Sequence, residues 1–479
     1  MLYTLRPSSP LHIEISSIAR REKIILCAAL GILIAVCVAP MAWNPHWTGE
    51  LHRHHNQYQL LADAFLKGQL YLDVPVDSRL AAMENPYDFQ AREELNLDEN
   101  SGGWDHAFYK GRYYVYFGAV PALLIFAPYK LIVGKDLAAY HATQIFSAIF
   151  IVGMFALFFF LARKFFPRMS FGVYLTTAFA LSLVSISYCT EAPALYCTAS
   201  SSGLCMEVWS IYFFARAAWA DDRKFFAEIF IGAALGALAF GCKPTVALAN
   251  FLVLPLLPKF FSKDDPRKIF LVLSVPYLIT GAALMIYNYL RFDNVFEFGQ
   301  AYQLTIADQH AYGKFSERFN LSAQIDGLLQ NFFGVENNFR GDEKPGGALR
   351  YIIFWLPIFL LSGKIFAALK TKKIIGVVIA LIFTPILITM FQIHWTPFLL
   401  ERYRLEIYWL LALLSFISLG ILSESRKKFF NFGVCLLSVV TIFQCLNLFF
   451  IPNDLNFATI CPELRPTFLK ILSLGFFPN

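Results

Sequence analysis

Apolar runs of membrane-spanning length follow one another along almost the whole chain, and nothing else in the sequence limits the fold as strongly. They cover residues 24–43, 114–134, 137–161, 172–190, 204–220, 225–241, 244–261, 269–290, 351–369, 374–391, 405–422 and 429–451. About 20 apolar residues let an α-helix cross the hydrocarbon of a bilayer. With no water there, each backbone N–H and C=O must be satisfied within its own segment, which leaves helices. The expectation is an all-α polytopic integral membrane protein with about 11 to 12 transmembrane helices. Composition agrees: 57% hydrophobic and 15% charged residues are a mixture that a water-soluble domain could not keep off its surface. Fifty phenylalanines spread along the length exclude a soluble enzyme on one anchor.

The layout follows from these runs. Residues 1–23 form a cytoplasmic N-terminal tail and 24–43 an uncleaved signal-anchor helix preceded by Arg20, Arg21 and Lys23. Residues 44–113 are an extracytoplasmic loop, 114–290 a block of membrane helices, 291–350 a second extracytoplasmic loop, 351–451 further helices and 452–479 a C-terminal tail. The formal net charge of +6 does not point to nucleic acid, because the bases fall in short clusters between apolar runs. Arg163/Lys164/Arg168, Arg223/Lys224, Lys259/Lys263/Arg267/Lys268, Lys370/Lys372/Lys373 and Arg426/Lys427/Lys428 read as cytoplasmic turns by the positive-inside rule. That placement requires an odd number of crossings between the first loop and Arg163. The segment 114–134, broken by Pro121 and Pro128, is therefore expected to be short or re-entrant, giving eleven spans; if it crosses, the count is twelve. The chain is placed in the cell inner (cytoplasmic) membrane with its N-terminus in the cytoplasm.

Nine cysteines sit mostly inside apolar runs and read as small hydrophobes, although Cys197 and Cys205 would flank an outer loop and could pair there. Ionisable residues within the spans are few. His141, Glu207 and Lys243 fall near segment ends, which argues against a proton-coupled carrier. Polar residues gather instead at the outer boundary. Tyr58, Leu61, Ala62, Phe65 and Leu66 share one face of a short helix ending at Gly68, a pattern expected to lie flat on the membrane. The end of the first loop brings Asp88, Arg92, Asp105, His106, Lys110 and Arg112 toward the next apolar run. Histidines at 52, 54 and 55 lack a carboxylate at ligand spacing, so no metal is expected.

A signal anchor, an acidic outer loop with a juxtamembrane helix, a Pro-containing second segment and a multi-helix remainder resemble the GT-C superfamily of membrane glycosyltransferases. The protein O-mannosyltransferases and lipid A aminoarabinose transferases are the families it looks most like. Their Tyr, Ala and Gly rhythm is matched by Tyr58, Ala62 and Gly68, and their late Arg-Tyr stretch by Arg402 and Tyr403 in "LLERYRLEIYW". Their Asp-Glu pair is not matched, since His54 and His55 stand there.

What the resemblance implies is transfer of a sugar from a polyprenyl-phosphate donor to an envelope glycan, lipid or protein on the outer face. The partners are then membrane lipid, the lipid-linked donor and a glycan or lipid acceptor, with no cofactor beyond the donor lipid. Such chemistry needs a base for the acceptor proton and cations for the leaving phosphate. Candidates for the base are Asp105, Asp63 and Glu50, in that order; for the donor they are Arg402, Tyr403, Lys243, Arg291 and Arg112. Aromatic residues from Trp104 to Phe117 could stack on a sugar or belong to the interfacial belt. Two alternatives stand beside this reading: a transporter or flippase of a lipid-linked precursor, and a non-catalytic assembly protein that kept the scaffold and lost the base.

Overall fold

The structure is a computed structural model that describes residues 19–42, 48, 56–97, 103–193, 195–220, 224–306, 308–309, 318–334, 347–395, 399–423 and 428–448. Glu50 and the histidines at 52, 54 and 55 lie outside the described residues, as do the C-terminal tail and most of the N-terminal one.

The helices are α1 (Arg20–Val38), α2 (Gln57–Leu66), α3 (Ala122–Val133), α4 (Ala139–Phe165), α5 (Phe171–Glu191), α6 (Leu195–Trp219), α7 (Phe225–Cys242), α8 (Pro244–Phe261), α9 (Pro266–Phe292), α10 (Leu321–Phe333), α11 (Ile352–Leu361), α12 (Gly363–Thr371), α13 (Ile375–Trp395), α14 (Glu401–Ser423) and α15 (Lys428–Leu448). A hairpin of β1 (Ala107–Tyr109) and β2 (Arg112–Tyr114) precedes α3. Eight helices are long and apolar enough to cross a membrane: α1 with its extension to Ala42, α4, α5, α7, α8, α9, α13 and α14. The pair α11–α12, bent by 80°, makes nine if taken as one span. Length and hydropathy alone thus do not reach the expected 11 to 12 among the described residues.

Two features of this layout have physical causes. The segment 114–134 yields only five residues of π-helix and seven of α-helix, about 18 Å at the helical rise against about 30 Å of hydrocarbon. Pro128 has no N–H to give Leu124, and Gly134 ends the helix at φ +73°. The expectation of a short helix there agrees with this length. Helix α6 begins at Leu195, nine residues before the apolar run that announces it, because Thr198, Ser200, Ser201 and Ser202 hide it from a hydropathy reading. All four are buried, and Ser200, Ser201 and Ser202 turn their hydroxyls back onto carbonyls of their own helix. A helix walled by α4 and α7 needs no lipid-facing surface. Cys197 and Cys205 therefore both lie on α6 as free thiols, not across a loop. Glu207 falls at its middle, not near a segment end.

Side-chain contacts fix how the helices alternate. Val38 O accepts from Gln144 Nε2 at 2.8 Å and Cys37 O from Thr190 Oγ1 at 2.9 Å, so the end of α1 meets the start of α4 and the end of α5. Thr143 and Thr198 bond at 2.8 Å, adding the start of α6. At the opposite end Lys263 Nζ donates to the carbonyls of Ala217 and Ala220, both at 2.8 Å, and Lys372 Nζ to that of Phe165. These lysines close helix C-termini whose carbonyls have no partner of their own. The bundle thus has a basic end, where Arg20, Arg163, Lys224 and Arg267 also lie, and a second end that gathers the two long loops. Helix α14 runs through the middle, 89% buried over its apolar window, whereas α9 is 11% buried and lies on the outside.

The amphipathic helix of the first loop forms as expected. Its face of Tyr58, Leu61 and Ala62 is buried, though against protein rather than lying free on a surface: Tyr58 stacks on Phe126 of α3 at 5.3 Å, and Gly68 ends the turn at φ +71°. Leu66, placed on the same face by the sequence, is exposed.

Candidate functional site

The second long loop comes back to the first. Phe108 N donates to Tyr302 O at 2.8 Å, Asp105 N to Leu304 O at 2.8 Å and Leu304 N to His106 O at 2.9 Å, and Ala107 bridges to Gln303. Residues 302–304 thus run along the free edge of the hairpin, and backbone hydrogen bonding holds the two loops as one body. Arg92, wholly buried, reinforces the seam by donating to Pro86 O at 2.9 Å and Thr305 O at 2.7 Å.

This seam places Asp105. Its backbone takes φ +56°, a left-handed conformation in which Asp is tolerated better than most residues but which still costs on the order of 1 kcal/mol. Gln57 Nε2 at the start of α2 donates to Asp105 O at 2.7 Å, and Gln303 Nε2 donates to its carboxylate at 2.7 Å. The side chain is 94% buried, yet it lines a cavity of about 580 Å³ at the end of the bundle away from the basic turns. That volume suits a small ligand or the head of a larger one.

Arg402, at the start of α14, lies in the same cavity with its guanidinium 3.9 Å from the ring centre of Tyr196 and 5.4 Å from that of Tyr403. Among the described residues it forms no ion pair, and Asp105 acts on it only at longer range. Arg291 closes another wall. Its guanidinium sits 3.8 Å over Tyr287 and 4.5 Å over Phe292, donating to Val115 O at 2.6 Å and Asn288 Oδ1 at 2.9 Å. No carboxylate pairs with it among the described residues. Lys243, at the break between α7 and α8, behaves otherwise. It is 2.6 Å from Glu406 Oε1, 3.0 Å from Ser200 Oγ and 5.4 Å from the ring centre of Tyr403. Glu406 is wholly buried and also accepts from Gln392 Nε2 at 2.9 Å, so much of the Lys243 charge is already compensated.

Tyr116 lines the same cavity, within electrostatic reach of both Asp105 and Arg402. Burial, with the Asp105 carboxylate adding to it, holds its phenol well above the ordinary tyrosine range, so it remains a neutral donor. Gly118 lets this strand of wall lie against α7, where a Cβ would run into the carbonyl of Gly241.

Of the candidates named from the sequence, Asp105, Arg402, Tyr403, Lys243 and Arg291 share the cavity. Two described candidates do not. Asp63 pairs with Lys130, which also reaches Asp136 at 2.8 Å, so it fastens α2 to α3. Arg112 lies 4.1 Å over the ring of Tyr71 on the exposed side of β2. Sequence neighbourhood suggested both, and each found a closer partner first. Glu406, Gln303 and Gln392 were not foreseen. For Glu406 a signal existed: it follows Arg402 by four residues on a helix, which puts both on one face.

No family model matches the chain, and no curated protein does. Among solved structures the chain is similar to the archaeal oligosaccharyltransferase AglB from Archaeoglobus fulgidus, solved in complex with an inhibitory peptide and a dolichol-phosphate. The TM-score is 0.44 at 12% identity, covering 95% of this chain and 55% of that one, so the chain spans about half the length of that enzyme.

Proposed function

We propose that the chain is a membrane glycosyltransferase that moves a sugar from a polyprenyl-phosphate donor to a hydroxyl of an envelope glycan, lipid or protein on the outer face. The observation that carries this reading is the meeting of a buried acid, Asp105, and an arginine without an ion pair, Arg402, in one cavity at the end of the bundle opposite the basic turns. An acid and a cation held apart in a shared cavity suit a reaction in which a proton leaves one reactant while negative charge develops on another.

In the proposed step the acceptor oxygen forms a bond to the anomeric carbon as the bond from that carbon to the phosphate oxygen breaks. The acceptor proton passes to the Asp105 carboxylate, and the electron pair stays on the departing polyprenyl phosphate. Arg402 and Arg291 face that added charge, with Tyr116 and Tyr403 beside it. Gln303 steadies the carboxylate, and Lys243, tied to Glu406, shapes the wall more than it supplies charge.

Eleven crossings fit this reading: α1, α4 to α9, the bent pair α11–α12, and α13, α14 and α15, with α3 re-entrant from the outer side. Its exposed Leu131, Ile132 and Val133 suit contact with lipid. The basic end then faces the cytoplasm of a cell inner membrane, with the N-terminus inside and the cavity outside.

The test replaces Asp105 by Asn and Arg402 by Ala, singly, at matched protein level, and follows envelope glycan composition by mass spectrometry. Both variants should lose the product, by on the order of a hundredfold or more in rate for the base. A wild-type glycan profile in both variants would sink the assignment. Movement of labelled lipid across vesicles without any glycan product would favour the carrier reading instead.

A further inference from the structure

The reaction above makes no use of a buried acid in the middle of the bundle. Glu207 stands at the midpoint of α6, wholly buried. Its Oε1 accepts from Asn250 Nδ2 at 2.8 Å, and the same amide nitrogen is 3.1 Å from Gly236 O and 2.9 Å from Ala247 O. Asn250 Oδ1 in turn accepts from Tyr277 OH at 2.6 Å. A Cβ at Gly236 would collide with that amide oxygen and with the Tyr277 hydroxyl, so glycine there makes room for the contact. One chain of hydrogen bonds thus joins α6, α7, α8 and α9.

The other carboxyl oxygen of Glu207 is buried without a hydrogen-bond partner, and no cation pairs with the group among the described residues. An unpaired carboxylate in that position would be left uncompensated in a medium that solvates it poorly, whereas the acid form is neutral.

Helical spacing connects this cluster to the cavity. Ser200 and Tyr196 lie 7 and 11 residues before Glu207, and Leu284, Asn288 and Arg291 lie 7, 11 and 14 residues after Tyr277. Each set follows one face of its helix. The face of α6 that carries Glu207 therefore also carries the partners of Lys243 and Arg402. The face of α9 that carries Tyr277 carries Arg291, and Lys243 lies at the α7–α8 break that Asn250 spans by bonding to both helices.

We propose that Glu207 is held as a neutral carboxylic acid and acts as a positioning residue, the centre of a four-helix latch that sets Lys243 and Arg291 against each other across the cavity. The consequence for turnover rests on the glycosyltransferase reading; the protonation and the latch do not.

The experiment uses the full chain in lipid nanodiscs. Infrared spectra of wild type minus E207Q should contain a protonated-carboxyl stretching band. E207Q, which keeps an acceptor for Asn250 and a neutral group beside it, should melt with wild type and keep kcat/KM within about twofold. E207A should raise KM for a polyprenyl-phosphate sugar and lower kcat/KM on the order of a hundredfold, the usual size of a displacement of about 1 Å at a site. Y277F, which keeps the ring and loses one donor, should fall between them. Absence of the band means an ionised Glu207 and overturns the protonation, while an E207A protein that melts and turns over like wild type overturns the latch. If wild type transfers no sugar from any polyprenyl-phosphate donor, the functional reading fails, and the band and the melting temperatures still decide the latch.

Discussion

The first two turns of α14 treat charge in opposite ways on two of their faces. On one, Glu401 is gripped by Arg350, by Arg404 at 2.5 Å and by the hydroxyl of Tyr408 at 2.6 Å, and Arg350 also donates to that hydroxyl at 2.8 Å. Every one of these groups is buried or nearly so. On the other face Arg402 lies against the rings of Tyr196 and Tyr403 and forms no ion pair among the described residues. Paired charge inside a bundle holds structure together; charge left without a partner, beside a cavity, is available to a ligand. The neighbours Glu401 and Arg402 thus belong to different tasks although one peptide bond joins them.

Substitutions should separate the two faces. Glu401→Ala strands two buried guanidinium groups, and breaking a buried pair in this way costs about 3–5 kcal/mol. Thermal unfolding in detergent should show it as a large drop in Tm. Arg402→Ala should leave Tm near wild type and remove turnover by on the order of 10² to 10³, the size seen when one preorganised charge-stabilising donor is lost. An Arg402→Ala protein that unfolds as readily as Glu401→Ala would erase the distinction.

Glu406 lies between the two cases, since it faces the cavity yet is paired with Lys243. Glu406→Gln should free the lysine for an incoming anion. The expected outcome is a donor KM several-fold lower, of the size of one charge-assisted hydrogen bond, about 1.5–3 kcal/mol before the loss of the native pair is subtracted. Measuring KM for donor and for a neutral analogue in parallel sharpens the point, because only the first should move.

How much of this was legible beforehand depends on whether the information is local. Spanning length and apolar composition are local, so the membrane class and most helices could be read directly, as could α2 from the spacing of Tyr58, Leu61 and Ala62. The N-terminal half of α6 could not, because its serines are tolerated only where other helices cover them. Asp105, Arg402 and Arg291 were nameable as residue types near a boundary, but the cavity they share depends on the contact of residues 302–304 with the hairpin, a pairing across about two hundred positions that no spacing announces. Asp63 ranked next after Asp105 by sequence, and its pairing with Lys130 takes it out of the site. Charges at a membrane boundary are common, and which of them finds a partner is decided by tertiary packing.

The smallest expected effect lies outside the bundle and tests the same rule where water screens it. Lys110 Nζ is 2.6 Å from Asp293 Oδ2 at the rim of the hairpin, both side chains well exposed. The hydrogen bond from Lys110, with a second from Tyr109, holds the Asp293 carboxyl below its ordinary value of 3.8. A depressed acid contributes stability above that ordinary value and loses it as pH falls through the lower, folded-state value. The melting temperatures of wild type and Asp293→Asn should therefore differ slightly at neutral pH and converge below about pH 3.8. Added salt should shrink the gap at neutral pH as well, since exposed pairs are screened. A gap that ignores salt would mean that this pair is shielded in a way its exposure does not suggest, and that the contrast between gripped and free charges extends beyond the buried core of α14.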